Sequence, residues 1–239
     1  KDELVGGTMS CAGTLGTLIP PSTQFILYGV MAEVSIGSLF AAGVVPGIIM
    51  AICFCGVIFI WSKMNKELCP AGEATSWKEK LKALSGFWRM LLLFAIVLGG
   101  IFSGLTSVTE SAALGCVVAF LMMLFRRRCT RESMKACLLD TITTTGMVML
   151  NIVGANIFGA FITITNFPST IAGWIQSLAV PGFMVIFIII IIYGLLGCIM
   201  DTLALILLSI PIFLPIVNVF GFDLVWFGVI VCMIMNMGA

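Results

Sequence analysis

The stretch FMVIFIIIIIYGLLGCI, residues 183–199, is apolar on every face that a helix would present. A helix of a water-soluble protein keeps one polar face, whereas a helix surrounded by lipid does not need one. The rest of the 239 residues has the same character, since 61% are hydrophobic, 10% are charged and the mean hydropathy is +1.21. The sequence therefore predicts an all-α polytopic membrane protein and excludes a water-soluble fold.

Charge and reactive residues exclude further classes of function. The formal net charge is +1, which gives no indication of a nucleic-acid partner. The chain has no histidine, no CxxC pair among its nine cysteines and no GxSxG motif. We therefore expect no enzyme activity, no cofactor and no nucleic-acid binding, and we interpret the cysteines as small apolar packing residues.

The basic residues predict how the chain crosses the membrane. Apart from Lys1, every Lys and Arg lies in residues 63–89 or 126–135. The positive-inside rule places both basic stretches in the cytoplasm, so an even number of crossings must separate them. The predicted crossings outside the hairpin described below are residues 4–32, 36–62, 88–103, 107–125 and 141–165.

Two polar stretches have the spacing of amphipathic helices that lie along the cytoplasmic surface. In residues 75–87, Trp77, Leu81 and Leu84 recur at three- and four-residue intervals opposite lysines. A similar pattern follows Thr130. The alternative is that both stretches are ordinary loops between helices.

Residues 180–218 are predicted to form a helical hairpin with residues 197–202 at its tip. Its arms of about 16 to 18 residues are short for full spans of about 20. Asp201 favours a re-entrant hairpin, which dips in from outside and returns. A carboxylate that faces lipid costs several kcal/mol, whereas one at a tip can meet water, ions or backbone donors. Two full crossings are the alternative.

The stretch GTLGTLIPPS, residues 13–22, predicts a break in the first apolar segment. Pro20 and Pro21 remove two backbone donors, and the glycines before them loosen the preceding turn. Broken backbone at membrane depth persists only where protein or a water-filled cavity satisfies the freed carbonyls. Such carbonyls, with neighbouring hydroxyls, are suitable ligands for a small cation. A purely structural proline kink is the alternative.

These two features give the predicted site for an ion or a substrate. The predicted residues are Gly13, Thr14, Gly16, Thr17, Ile19 and Ser22 at the break, and Gly197, Asp201 and Thr202 at the hairpin tip. Gly16, Ile19 and Gly197 are the candidate sodium ligands among them. The remaining carboxylates near apolar sequence are predicted to cap helices or to meet solvent, with Ser107 and Glu110 as a capping box and Glu33 and Asp223 at helix ends.

Four motifs in a fixed order resemble the large membrane subunit of the tripartite ATP-independent periplasmic (TRAP) transporters. In chain order they are the glycine-rich segment ending in IPPS at residues 13–22, FAAGVVPG at 40–47, GIFSGLT with TE at 100–110, and the run from MDT to WFG at 200–228. The similarity extends over nearly the whole chain.

The resemblance implies an elevator-type ion-transporter fold with two inverted repeats, each containing a re-entrant hairpin and a broken helix. The chain would then comprise four segments. They are residues 1–62 at the end of the first repeat, a cytoplasmic linker at 63–89, a helix pair with an amphipathic arm at 90–140, and the transport region of the second repeat at 141–239. The first hairpin is expected before Lys1 and the second broken helix after Ala239.

The resemblance also implies a function. We expect a permease of the bacterial inner membrane, embedded in the lipid bilayer, that imports an organic acid with sodium as the coupling ion. A periplasmic binding protein would deliver the acid, and a small membrane subunit would accompany the permease. The alternatives are a sodium/carboxylate carrier that needs no binding protein, and a membrane enzyme or scaffold that does not transport.

Overall fold

The computed structural model describes residues 2–64, 76–79, 84, 86–126, 129–177 and 180–238, and this part of the chain is helical with no strand. In chain order its ten main helices are α1 (Asp2–Leu18), α2 (Thr23–Met31), α3 (Ile36–Met64), α4 (Trp88–Phe102), α5 (Val108–Phe125), α6 (Arg131–Ile164), α7 (Phe167–Ser177), α8 (Gly182–Gly197), α9 (Thr202–Val219) and α10 (Leu224–Gly238).

The lengths of these helices are those of a membrane protein. Four of those described, α3, α5, α6 and α9, are long and apolar enough to cross a bilayer. The helices α4, α8 and α10 are equally apolar but have 15 or 16 residues. At 1.5 Å per residue they reach about 22–24 Å, which is less than the hydrocarbon thickness of about 30 Å. The prediction of an all-α polytopic membrane protein is confirmed.

Several predicted boundaries differ from the observed ones. The predicted crossing at residues 4–32 consists of α1 and α2, which are separated at the predicted break. The amphipathic stretch after Thr130 and the following crossing form the single helix α6, because no proline or glycine interrupts residues 131–145. The short helix α7 was not predicted. Six of the 13 residues of the amphipathic helix predicted for residues 75–87 lie outside the described residues, so that helix stays a prediction.

Internal contacts group the chain into two units. The first comprises Lys1–Leu4 and Gly56–Thr143, and the second comprises Val5–Cys55 and Thr144–Ala239. The four segments predicted from the resemblance concern repeats rather than contacts, so that division stays a prediction.

In the first unit, α4 and α5 pack against each other as a helix pair. The Ser107 hydroxyl accepts a hydrogen bond from the Glu110 N–H at 3.3 Å, and a Glu110 carboxylate oxygen accepts one from the Ser107 N–H at 2.7 Å. The predicted capping box is therefore confirmed. Because α4 begins in one basic stretch and α5 ends immediately before the other, the pair brings the adjoining ends of both stretches to the same side, as the positive-inside rule requires.

In the second unit, α9 contacts α2, α7, α8 and α10 and lies at the centre of the packing. The helices α8 and α9 form the predicted helical hairpin, and the buried Tyr193 hydroxyl on α8 donates to Ser209 Oγ on α9 at 2.7 Å. Whether the hairpin re-enters or crosses the membrane stays a prediction. The buried residues of α9 are Leu205, Ile206, Leu207, Ser209, Ile210, Ile216 and Val217.

The two remaining carboxylates occupy helix ends. Asp223 Oδ1 accepts a hydrogen bond from the Trp226 N–H at 2.8 Å, which confirms its predicted capping role. Glu33 is exposed in the turn between α2 and α3, where its φ is 54°. Both positions agree with the expectation that these groups lie at helix ends.

The helix α2 packs closely on its neighbours because glycines face its aromatic residues. Gly43 on α3 lies against the ring of Phe25, and Gly228 on α10 lies against the ring of Tyr28. A Cβ atom at either glycine would overlap the ring. Helices in membranes associate mainly through such close packing, since burial from lipid gives little hydrophobic gain.

We expect Gly43→Ala to destabilise the protein by about 1–3 kcal/mol, because the added methyl group must displace the Phe25 ring. Gly56→Ala on the same helix is the matched control, since its Cβ would meet nothing within 4 Å. The control should be neutral, or stabilising by up to about 1 kcal/mol. The measurement is the unfolding midpoint of the full-length protein in detergent, and equal midpoints for the two variants would contradict this packing.

Candidate functional site

The break between α1 and α2 exposes backbone carbonyls. Proline has no N–H, so Pro20 and Pro21 deprive the carbonyls of Gly16 and Thr17 of the amide that an uninterrupted helix supplies four residues on. The buried Ser22 hydroxyl compensates one of them by donating to the Thr17 carbonyl. Its oxygen also caps α2 by accepting from the Phe25 N–H at 3.3 Å. For the Gly16 carbonyl, no local side chain replaces the N–H group that the helix would have supplied.

Asn236 on α10 connects both sides of the break. Its Oδ1 lies 2.6 Å from the Thr17 hydroxyl and accepts from Gln24 Nε2 at 3.1 Å. Its Nδ2 donates to Gln24 Oε1 and to the Cys232 carbonyl, both at 2.8 Å. Gln24 and Asn236 are each 4% exposed, so the amides meet away from solvent. We call Thr17, Gln24 and Asn236 the amide cluster.

The Thr17 hydroxyl has two acceptors and one hydrogen. The acceptors are Asn236 Oδ1 and the Thr14 carbonyl, which lies 2.8 Å away. A hydroxyl donates one hydrogen bond, so it can satisfy only one of these acceptors at a time. The Thr17 oxygen keeps lone pairs for a further donor or a cation.

The hairpin tip lies against the end of α10. A Cβ atom at Gly197 would be 3.5 Å from the Cα and carbonyl oxygen of Met235, and one at Gly238 would be 3.1 Å from the carbonyl carbon of Gly197. The two backbones approach this closely because neither glycine carries a side chain. Met235 and Asn236 are consecutive on α10, so this end of the helix joins the tip to the amide cluster.

Asp201 at the tip is the N-cap of α9. Its Oδ2 accepts hydrogen bonds from the N–H groups of Leu203 at 3.1 Å and Ala204 at 3.4 Å. Thr202 is the first residue of that helix. Helix-end amides therefore stabilise the exposed carboxylate, in agreement with its predicted place at a tip.

A cavity of about 200 Å³ opens beside the tip, between α6 and α9. Asn151 supplies the amide of its lining, and the other lining residues are apolar. They are Leu150, Gly154 and Ala155 on α6, Met200 in the turn, and Ala204, Leu207 and Leu208 on α9. The cavity offers an apolar wall with one hydrogen-bonding group, close to the Asp201 cap.

The predicted site residues are partly brought together. Thr14, Thr17 and Ser22 join the hydrogen-bond network at the break, and Gly197 reaches it through α10. A Cβ at Gly13 or Gly16 would meet nothing within 4 Å, so the backbone there is open. Ile19 lies against Gly47 of α3, whose Cβ would be 3.2 Å from its side chain. Ion or substrate binding by these residues stays a prediction.

Gln24, Asn236 and Asn151 were not among the predicted site residues. Gln24 and Asn236 lie 212 residues apart, so no local motif links them. The available signal was chemical, because a side-chain amide in an apolar helix needs a hydrogen-bond partner. Pairing the amides of α2 and α10 would have found the cluster.

The whole sequence, including the broken helix and the hairpin tip, matches the model of a known family. The sequence model described as the tripartite ATP-independent periplasmic transporter, DctM component, matches residues 1–239. The chain belongs to the DctM family. The resemblance to TRAP large permeases is thereby confirmed.

The relatives of this DctM-family chain have names that mention different substrates. It is 36% identical to the C4-dicarboxylate TRAP transporter large permease protein DctM of Pseudomonas aeruginosa, over 97% of this chain and 54% of that protein. It is 31% identical to the sialic acid TRAP transporter large permease protein SiaM of Vibrio cholerae, over 99% of this chain and 55% of that protein. It is 30% identical to the 2,3-diketo-L-gulonate TRAP transporter large permease protein YiaN of Escherichia coli, over 93% of this chain and 52% of that protein. The DctM-family chain thus spans about half the length of these relatives.

We expect Gln24→Leu and Asn236→Leu each to lower the free energy of unfolding by about 1–3 kcal/mol, because each removes the two hydrogen bonds that join the buried amides. The double variant should cost at least about 1 kcal/mol less than the sum, since it removes both amides together. Reversible unfolding in mixed micelles would measure the free energy of unfolding of the wild type, the two single variants and the double variant.

The matched control for this double-mutant cycle combines Gln24→Leu with Asn151→Leu. Asn151 lines the cavity and makes no hydrogen bond to Gln24, so these two effects should add. Additive effects for Gln24 and Asn236 as well would contradict the amide cluster.

Proposed function

We propose that this chain is part of a sodium-coupled permease of the bacterial inner membrane, which imports an organic acid delivered by a periplasmic binding protein. The observation that carries the proposal is that one end of α10 holds both the broken helix, through Asn236, and the hairpin tip, through Gly238. A cation bound at the break is thereby linked to an element that can cover a substrate.

The break supplies oxygen ligands of the kind that sodium prefers. The carbonyls of Gly16 and Ile19 are the proposed ligands at the break, with Gly197 at the tip. Two observations support Gly16 most directly. Pro20 offers its carbonyl no amide, and the space around its Cα is open. Unwound backbone beside threonine hydroxyls is a setting in which ion-coupled transporters bind their cations.

Cation binding would reach the hairpin through a short chain of contacts. A cation that takes the Thr17 oxygen as a ligand orients its hydroxyl hydrogen toward one of its two acceptors, the Thr14 carbonyl or Asn236 Oδ1. Asn236 lies next to Met235, whose backbone packs on Gly197 at the tip. A change in the hydrogen bonds of Asn236 therefore acts directly on the contact between α10 and the hairpin.

The charge distribution explains why an organic acid would require a cation. Residues 136–239 contain no Lys or Arg, so no basic side chain of this region is available to pair with a substrate carboxylate. Asp201 beside the cavity repels an acid. A sodium ion and the N-terminus of α9 are the positive charges that offset both carboxylates. The names of the relatives, which include a C4-dicarboxylate and a sialic acid, support an organic acid as the class of substrate.

The partners proposed are those of a TRAP system. They are a periplasmic substrate-binding protein and a small membrane subunit beside the large permease. Membership of the DctM family supports both.

Uptake by the reconstituted system tests the proposal. The full-length permease, its small subunit and its binding protein would be placed in liposomes with an inward sodium gradient and a panel of labelled organic acids. We expect accumulation of at least one acid with sodium and none with an equal potassium gradient. Equal accumulation under both gradients would refute sodium coupling, and accumulation without the binding protein would favour the carrier that needs none.

We expect Gly16→Val to abolish sodium-dependent uptake in this assay, because the branched side chain restricts the backbone that presents the carbonyl. Gly7→Val is the matched control. It lies on the same helix about 13 Å away, and a Cβ at Gly7 or at Gly16 meets nothing within 4 Å. Normal sodium dependence in Gly16→Val would show that the break is only a structural kink.

Asp201→Asn and Asp223→Asn form a second matched pair, since both carboxylates are N-caps and asparagine caps a helix as well as aspartate. Neither variant should change the unfolding midpoint by more than about 2 °C. Asp201→Asn should raise the sodium concentration for half-maximal uptake about tenfold, because it removes a negative charge beside the proposed site. Asp223→Asn should change it less than about twofold. Identical sodium curves for both variants and the wild type would eliminate Asp201 from the coupling.

A further inference from the structure

A groove in the first unit lies between the start of α4 and the end of α5. It has a volume of about 350 Å³. Its lining residues are Gly86, Arg89 and Met90 from the α4 side, and Met122, Met123 and Arg126 from the α5 side. We propose that this groove, which we call the arginine groove, binds one anionic phospholipid from the cytoplasmic leaflet.

The two arginines supply the recognition of a phosphate. Arg89 and Arg126 come from different helices and line the same groove. Guanidinium groups donate charge-assisted hydrogen bonds to phosphate oxygens, and two of them around one groove can contact one phosphodiester together. Arg126 is also the C-cap of α5, where the helix dipole favours a cation.

The two sequence stretches that contain these arginines carry a net positive charge. Residues 126–135 contain five Lys and Arg and one Glu, a net charge of +4, and residues 63–89 contain six Lys and Arg and three Glu, a net charge of +3. Each basic residue near a membrane surface attracts anionic lipid, and basic pockets between membrane helices on the cytoplasmic side bind anionic headgroups. A zwitterionic lipid would gain less binding free energy from these basic residues.

The apolar part of the groove favours a lipid over a free phosphate ion. Three of the six lining residues are methionines, whose flexible side chains adapt to apolar ligands such as an acyl chain. Met90 is 51% exposed and the neighbouring Leu91 is 57% exposed, so the groove continues into the apolar outer surface of α4. A free phosphate would use the arginines and leave this surface without a role.

A tryptophan indicates the depth of the groove in the membrane. Trp88 is 52% exposed, and the Arg89 guanidinium carbon lies 5.8 Å from the centroid of its ring. Tryptophan is enriched at the boundary between headgroups and hydrocarbon. The arginine groove therefore lies at the level of lipid phosphates, with its apolar part directed to the acyl chains.

Native mass spectrometry of the full-length permease tests the proposal, with phosphatidylglycerol and phosphatidylcholine titrated separately into the detergent solution. We expect one phosphatidylglycerol to bind at least about tenfold more tightly than phosphatidylcholine. Arg89→Gln/Arg126→Gln should weaken phosphatidylglycerol binding about 20-fold, with phosphatidylcholine binding unchanged. The unfolding midpoint of each variant would verify that it is folded.

The matched control is Arg131→Gln/Lys135→Gln, which removes two charges from the same basic stretch outside the groove. It should weaken binding by less than about threefold. An equal loss in both double variants would show general attraction to a basic surface and would overturn the proposal. Displacement of phosphatidylglycerol by millimolar inorganic phosphate would also overturn it, since the groove would then be a simple anion site.

If the glutamine variant does not fold, Arg89→Lys/Arg126→Lys replaces it. Lysine keeps the charge but loses the forked donor geometry, so binding should weaken about fivefold. Unchanged binding in a folded lysine variant would contradict recognition of the phosphate by the arginines. None of these outcomes depends on whether the permease couples transport to sodium.

Discussion

Hydrocarbon offers no hydrogen-bond partner, so the polar groups that the prolines at residues 20 and 21 release must be satisfied by the protein, by water in a cavity or by a bound cation. The Ser22 hydroxyl donates to the Thr17 carbonyl and caps the first turn of α2. Asn236 makes hydrogen bonds with the side chains of Thr17 and Gln24. The second unit depends on this constraint, because the helix that provides Asn236 is also the one on which the hairpin packs. Among the described residues, no buried side-chain nitrogen or oxygen lacks a partner.

Close approach of backbones is the second organising feature. Gly43 and Gly228 allow α2 to press two aromatic rings against α3 and α10, and Gly197 with Gly238 allow the hairpin tip to lie on the end of α10. Side chains at these positions would separate the helices, and in lipid little hydrophobic gain would draw them together again. The hydrogen bonds at the break and the glycine contacts at the tip therefore meet at the same helix end, and the proposed coupling between a cation and the hairpin rests on this contact.

Charged groups are distributed by helix polarity. The carboxylates of Glu110, Asp201 and Asp223 lie at helix N-termini and accept backbone N–H bonds, whereas Arg126 ends a helix. Each placement matches the sign of the helix dipole, so charges next to long apolar segments are stabilised without ion pairs. The second unit from residue 144 onward carries only negative formal charges, and the basic residues other than Lys1 lie within residues 63–135. This asymmetry gives the first unit the positive charge that the proposed lipid site requires, whereas Asp201 and Asp223 of the second unit are stabilised by helix ends.

The sequence by itself determined the features that depend on neighbouring residues. Hydropathy and length specify membrane helices, tandem prolines break a helix when they fall in its interior, and Ser107 with Glu110 forms its capping box within one turn. The same reasoning located the hairpin and its tip. It separated the amphipathic stretch after Thr130 from α6 because polarity changes there, although nothing in the backbone stops the helix. Only the tertiary structure decided that Gln24 meets Asn236, that Gly238 meets Gly197 and that Arg89 lines a groove with Arg126. These contacts join residues on different helices, and their existence depends on how the helices pack, which no local pattern of hydrophobicity or turn chemistry specifies.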